Sequence, residues 1–131
     1  MWPLYSAIGV VDDQIVKLGG GISNNPFDTA IVYDVSDDTW TEQTPLPVPN
    51  HGPAGVALDR QVYTIGGYLS DGITDQVWIY DVDSDSHTEG PALPYPVAYS
   101  KAVAIEGCIY LIGGHDNAND DASLTFLKWC P

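Results

Sequence analysis

Basic residues are the scarcest feature of this 131-residue sequence: Lys17, Arg60, Lys101 and Lys128 stand against 18 acids, a formal charge of −14. Such a surface repels phosphate, which excludes a nucleic-acid binder and argues against docking on anionic membranes. No run of 18 uninterrupted apolar residues occurs, so no membrane-spanning helix is expected. Met1-Trp2-Pro3-Leu4 lacks the basic segment and following apolar run of a secretory leader. That absence favours a cytoplasmic protein, or a piece of a longer one whose targeting lies elsewhere. His51, His87 and His115 are far apart in sequence, and with two cysteines they fit no zinc pattern. No metal or cofactor is therefore expected. Nothing resembles a nucleophile elbow or a Gly-rich phosphate cradle, so no catalytic residue is assigned.

What the chain does have is a repeat. Ile15-Val16-Lys17-Leu18-Gly19-Gly20 returns as Val62-Tyr63-Thr64-Ile65-Gly66-Gly67 and again as Ile109-Tyr110-Leu111-Ile112-Gly113-Gly114, 47 residues apart both times. Tyr33-Asp34 and Tyr80-Asp81 each lie 13 residues beyond the second glycine, and Leu46-Pro47 and Leu93-Pro94 follow in the same register. A fixed period of this length marks stacked supersecondary units. Each unit reads as short strands punctuated by turns: Tyr5 to Val11, Gln14 to Leu18, a variable loop from Ile22 to Asp28, Thr29 to Val35, then Thr39 to Gln43. The expected class is all-β. Fifteen of the 18 acids are aspartate, most at expected turns, where Asp caps its own backbone.

An apolar strand, Gly-Gly, a loop, Tyr-Asp, an aromatic and Leu-Pro together resemble the kelch repeat, whose units are four-stranded blades of a β-propeller. The resemblance runs from about Leu4 to about Trp129 and implies one domain over residues 1–131. Its units would be about 4–49, 50–96 and an incomplete 97–131. Gly19, Gly20, Gly66, Gly67, Gly113, Gly114, Tyr33, Tyr80 and Trp40 would be its structural residues. In kelch-like blades the aromatic at Trp40 packs between neighbours, so His87, which replaces it, should make a weaker contact. By register Leu127-Lys128 replaces Tyr-Asp in the third unit, with a strand from Ser123 to Lys128 and no fourth strand. Propellers close with four to eight blades, and an arc of three would leave two apolar faces wet. Two such arcs would make a six-bladed ring, so a homodimer is expected, with a fragment of a longer kelch protein as the alternative.

Several sites compete with plainer readings. Asp81, Asp83 and Asp85 alternate like the start of a calcium loop, but Ser86 and Ala92 stand where glycine and glutamate are needed. Turn chemistry is the better reading. His115-Asp116-Asn117 with Asn119-Asp120-Asp121 is the most polar loop, open to a cation or simply to solvent. Cys108 opens one strand and Cys130 follows its expected antiparallel neighbour, so the two could face each other; a cytoplasmic pair would stay reduced, and both states remain open. The kelch resemblance puts the post-glycine loops and the inter-blade connections on one face, presenting Asn24, Asn25, Tyr68, Asp71, His115 and Asp116, with His51 and Tyr99 nearby. It implies a non-catalytic binding module. Kelch-like binders of acidic peptides use arginines on that face, whereas Arg60 is the sole arginine here, so a basic, cationic or carbohydrate partner fits better. The alternative is a half-enzyme or enzyme remnant acting on a sugar, although the catalytic motifs of kelch-like sugar enzymes find no match.

Overall fold

The computed structural model describes residues 4–116 and 126–131, and every regular element among them is a β-strand. The first sheet pairs β1 (Ala7–Val11), β2 (Gln14–Leu18), β5 (Ala30–Asp34) and β6 (Thr39–Glu42) in that order, all antiparallel. The second repeats it with β7 (Ala54–Leu58), β8 (Gln61–Ile65), β11 (Val77–Asp81) and β12 (Ser86–Glu89). The third holds β13 (Lys101–Ile105), β14 (Cys108–Ile112) and β15 (Phe126–Trp129). Two loops expected to be irregular are small ribbons instead: β3 (Gly21–Ile22) with β4 (Asn25–Pro26), and β9 (Tyr68–Leu69) with β10 (Gly72–Ile73).

Strand alternation assigns each side chain to one of two faces. Along β1, Ala7, Gly9 and Val11 are buried while Ile8 and Val10 are exposed. Two cores result. Ala7, Val11, Val16, Leu18, Ala30 and Val32 of the first sheet pack on Val62 and Tyr80 of the second. Ala54, Val56, Tyr63, Ile65 and Val77 of the second pack with Ile109 and Leu111 of the third. The innermost strands approach so closely that a Cβ on Gly55 would lie 2.3 Å from the Ile8 nitrogen and 2.8 Å from Ala7 Cα.

The Gly-Gly pairs steer each strand into the next sheet. Gly66 and Gly67 have φ of 62° and 108°, open to glycine and costly to other residues. This turn aims the Gly67 amide at the Val97 carbonyl, 2.9 Å away, as it aims the Gly20 amide at Asn50 O, 2.8 Å away.

The third sheet departs from the expected register. Ile109 pairs with Trp129, whereas its counterpart Val62 pairs with Tyr80. Trp129-Cys130, not Leu127-Lys128, therefore stands in the Tyr-Asp place, because the segment after Gly114 carries two more residues than its counterparts. The residues 123–125 of the expected strand lie outside those described. The same shift explains the cysteines. Gln14 pairs with Asp34 and Gln61 with Asp81 across the first two sheets; at this position the third sheet has Cys108 and Cys130, which are disulfide-bonded. In the chain-entropy account a loop of 22 residues closed in this way stabilises the fold by about 3 kcal/mol.

The expected contrast between Trp40 and His87 is corrected as well. The two rings stack alike, Trp40 on Tyr33 at 4.7 Å and His87 on Tyr80 at 4.9 Å. His87, however, is the one seated between sheets, bonded through Nε2 to the Thr44 carbonyl at 2.7 Å, whereas Trp40 is 58% exposed. Its face of the first sheet has no neighbouring sheet among the described residues.

Replacing Gly55 with alanine should force the innermost strands apart. We expect a loss of about 1–3 kcal/mol in urea unfolding, the usual range for overpacking; an unchanged midpoint would show that the strands separate freely.

Candidate functional site

Three repeat-equivalent positions, Tyr5, Gly52 and Tyr99, all have positive φ, at 57°, 71° and 57°. They form a hydrogen-bonded chain across the sheets: the Gly52 amide donates to Tyr5 O and the Tyr99 amide to Gly52 O, each at 2.8 Å. A tyrosine is a strained occupant of that conformation, at a cost of order 1–3 kcal/mol. Gly52 between them leaves a gap that a ring fills, for a Cβ there would lie 2.5 Å from Tyr99 Cε1. The neighbouring connection residue, His51, exchanges backbone hydrogen bonds with Tyr68, the first residue after the second Gly-Gly.

These local bonds gather four rings. Tyr5 meets His51 edge-on at 5.3 Å and Tyr99 at 5.4 Å. Tyr99 meets His51 edge-on at 5.7 Å and lies 5.6 Å from Tyr68. The Tyr99 hydroxyl is 3.4 Å from His51 Nδ1. Beside them is a hollow of about 320 Å³ lined by Asn24, His51, Tyr68, Leu69, Ser70, Gly72 and Tyr99. Of the residues expected on this face, the structure brings Asn24, His51, Tyr68 and Tyr99 together. Asn25 and Asp71 are exposed nearby on their ribbons, and His115 and Asp116 belong to the third sheet's connection, where His115 pairs with Ala98. The polar loop's Asn117, Asn119, Asp120 and Asp121 lie outside the described residues.

Burial sets the chemistry of the hollow. His51 is 4% exposed, and desolvation holds its imidazole below the ordinary value. Burial pushes the Tyr99 hydroxyl up, reinforced by Tyr68 and Tyr5. Both shifts favour the neutral forms of His51 and Tyr99, so these two rings offer faces rather than charges. Below them, Asn50 is buried and donates from Nδ2 to Gly66 O at 2.7 Å, while its Oδ1 has no partner among the described residues.

Sequence reading missed Tyr5 and Asn50. Tyr5 was legible: 5, 52 and 99 share the 47-residue register, and a Tyr-Gly-Tyr series there marks ring, gap, ring. Asn50 carried no such signal, since Val97 holds the matching place.

The alternating acids of the second sheet serve the turn and the interface. Asp81 Oδ1 accepts from the Asp83 and Ser84 amides at 3.0 and 2.9 Å, and these bonds, the Ser84 amide foremost, hold its carboxyl below the usual range. Asp83 is bound by Arg60, which also reaches Asp12 of the first sheet. Burial pushes Asp85 up, but bonds from Thr44 and Tyr80 outweigh it and leave its carboxyl low.

A family model described as the Kelch motif matches residues 4–47 and 49–94. No curated protein matches the chain.

His51 should make stability depend on pH. Its folded-state pKa is depressed, so its neutral form is favoured by folding; that contribution is complete above about pH 6.5 and is lost as pH falls through the folded value. NMR titration of the His51 ring should give a midpoint below the ordinary value. The pH 7 to 5 drop in melting temperature should shrink in His51→Gln; equal drops would place the titration elsewhere.

Proposed function

The chain belongs to the kelch-repeat family, and on that premise we propose that it is a non-catalytic interaction module whose contact site is the hollow beside His51, Tyr68 and Tyr99. Its three sheets are then blades of a propeller, and the post-glycine ribbons and inter-blade connections form the recognition face. The four-ring cluster carries this reading. Tyrosines supply large contact area at low entropic cost, and two of these accept a strained backbone to stand there. Neutral ring faces within a chain of net charge −14 attract a cation. The partner we favour is a protein segment that inserts a lysine or arginine side chain among the rings, steered by the acidic surface.

Titration with a short lysine-containing peptide, followed by calorimetry, tests this. Tyr99→Ala and Tyr68→Ala should each weaken binding about tenfold, in line with loss of a cation–π and packing contact, and added salt should slow association. Binding of a neutral oligosaccharide in preference to the peptide would favour the carbohydrate reading instead.

We also propose that two copies close one ring. Ile8, Val10 and Trp40 are bare on one outer face of the arc, and Val103, Ile105, Ile112 and Phe126 on the other. By repeat position these two faces correspond to the halves that meet inside the molecule. One detail opposes closure: where Arg60 meets Asp12 internally, Glu106 would meet the second copy's Asp13. Light scattering should therefore show a species near twice 14.1 kDa that is strengthened by salt. A well-folded monomer at every concentration would overturn the ring.

A further inference from the structure

The rings beside the hollow meet at right angles. Tyr5, His51 and Tyr99 have 80°, 74° and 89° between their planes, pair by pair, like three faces at the corner of a box. Tyr68 adds a wall tilted 49° from Tyr99. His51, Tyr68 and Tyr99 line the hollow together with Asn24, Leu69 and Ser70, while Tyr5, outside that lining, braces His51 and Tyr99. The walls come from the first two ribbons and from the two connections between sheets.

What the hollow lacks decides which cation it suits. No carboxylate lines it among the described residues. Asp71, between Ser70 and Gly72 on the ribbon, is exposed and stands outside the lining. An unmodified lysine carries a compact, strongly hydrated ammonium with three N–H donors, and an arginine has five such donors. Entering a site made of ring faces costs either one its hydration, with no anion there to offset the loss. Methylation keeps the charge, and a trimethylated ammonium has no N–H left to satisfy. Its methyl groups pack on ring faces while its charge is attracted to them, which is the chemistry of an aromatic cage. Burial favours the neutral form of His51, so that wall does not repel a cation.

Resting on the reading of this hollow as the contact site, we propose that it selects a trimethylated lysine side chain of a partner protein over unmodified lysine or arginine. Charge decides between the sources of a quaternary ammonium. Phosphocholine headgroups and betaines hold a phosphate or carboxylate close to theirs, and a chain of net charge −14 repels it. A methylated lysine in a basic segment brings only positive charge.

The test adds three small probes of related shape to the whole chain: choline, its unmethylated counterpart ethanolamine, and its uncharged carbon isostere neohexyl alcohol. Choline should shift the His51 and Tyr99 ring signals in NMR and saturate with a Kd on the order of 1–10 mM. The other two should bind about tenfold more weakly. Tyr99→Ala should remove the response and Tyr99→Phe should retain it, because the ring face rather than the hydroxyl makes the contact. A basic peptide with one trimethyllysine should bind about tenfold tighter than the same peptide with lysine there. Ethanolamine or neohexyl alcohol equal to choline overturns the selection for methylated cations; if the lysine peptide still moves the ring signals, the contact site itself stands. If neither probe nor peptide moves them, both readings fail. Tighter binding to phosphatidylcholine vesicles than to the methylated peptide overturns the protein source.

Discussion

The architecture depends on one hydrogen bond made at two equivalent places, from the second glycine of a Gly-Gly pair to the carbonyl of the connection entering the next sheet. The Gly20–Asn50 and Gly67–Val97 bonds fix where one unit ends and where its successor begins. Only a residue without a side chain can stand beside them: a Cβ on Gly66 would lie 2.1 Å from Val97 O, and one on Gly19 would lie 2.6 Å from Asn50 O. With those bonds set, the innermost strands are pressed together, the two cores fall between sheets, and the connections gather His51 and Tyr99 on one face.

The two interfaces that follow from this constraint are held differently. The first combines an apolar core with a polar clasp at its rim, in which Arg60 joins Asp12 to Asp83 and the β11–β12 hairpin grips Thr44. Exposed ion pairs contribute little by themselves, so the clasp acts mainly to fix the relative setting of the sheets. Among the described residues the second interface lacks that clasp. It relies on apolar packing, including Trp129 edge-on to Tyr63 at 5.4 Å, and its third sheet is tied internally by the disulfide.

The fold was legible in the sequence because its signals are periodic: glycine pairs, tyrosines and strands recur in one register, and the family match rests on the first two units. The third unit exposes the weakness of a fixed period. Two additional residues after Gly114 move the aromatic from the expected Leu127 to Trp129, and nothing in the sequence spacing fixes where they enter. The site was half legible. Asn24, His51, Tyr68 and Tyr99 could be placed on one face, but their convergence depends on backbone bonds between units and on the gap at Gly52. Trp40 and His87 were misjudged for a related reason: ring size predicts contact only when the neighbouring sheet is known.

The outer turns have one more consequence, for how molecules of this protein behave in a crowd. Asp34, bonded chiefly by Ser36 and then by the Asp37 amide, and Asp81, bonded chiefly by the Ser84 amide, resist protonation, as Asp83 does through Arg60. Beside the bare sheet faces they add like charge that opposes unspecific approach of one molecule to another. Near the isoelectric point of about 4.1, Asp34, Asp81 and Asp83 are therefore held in the charged form more strongly than an ordinary carboxylate.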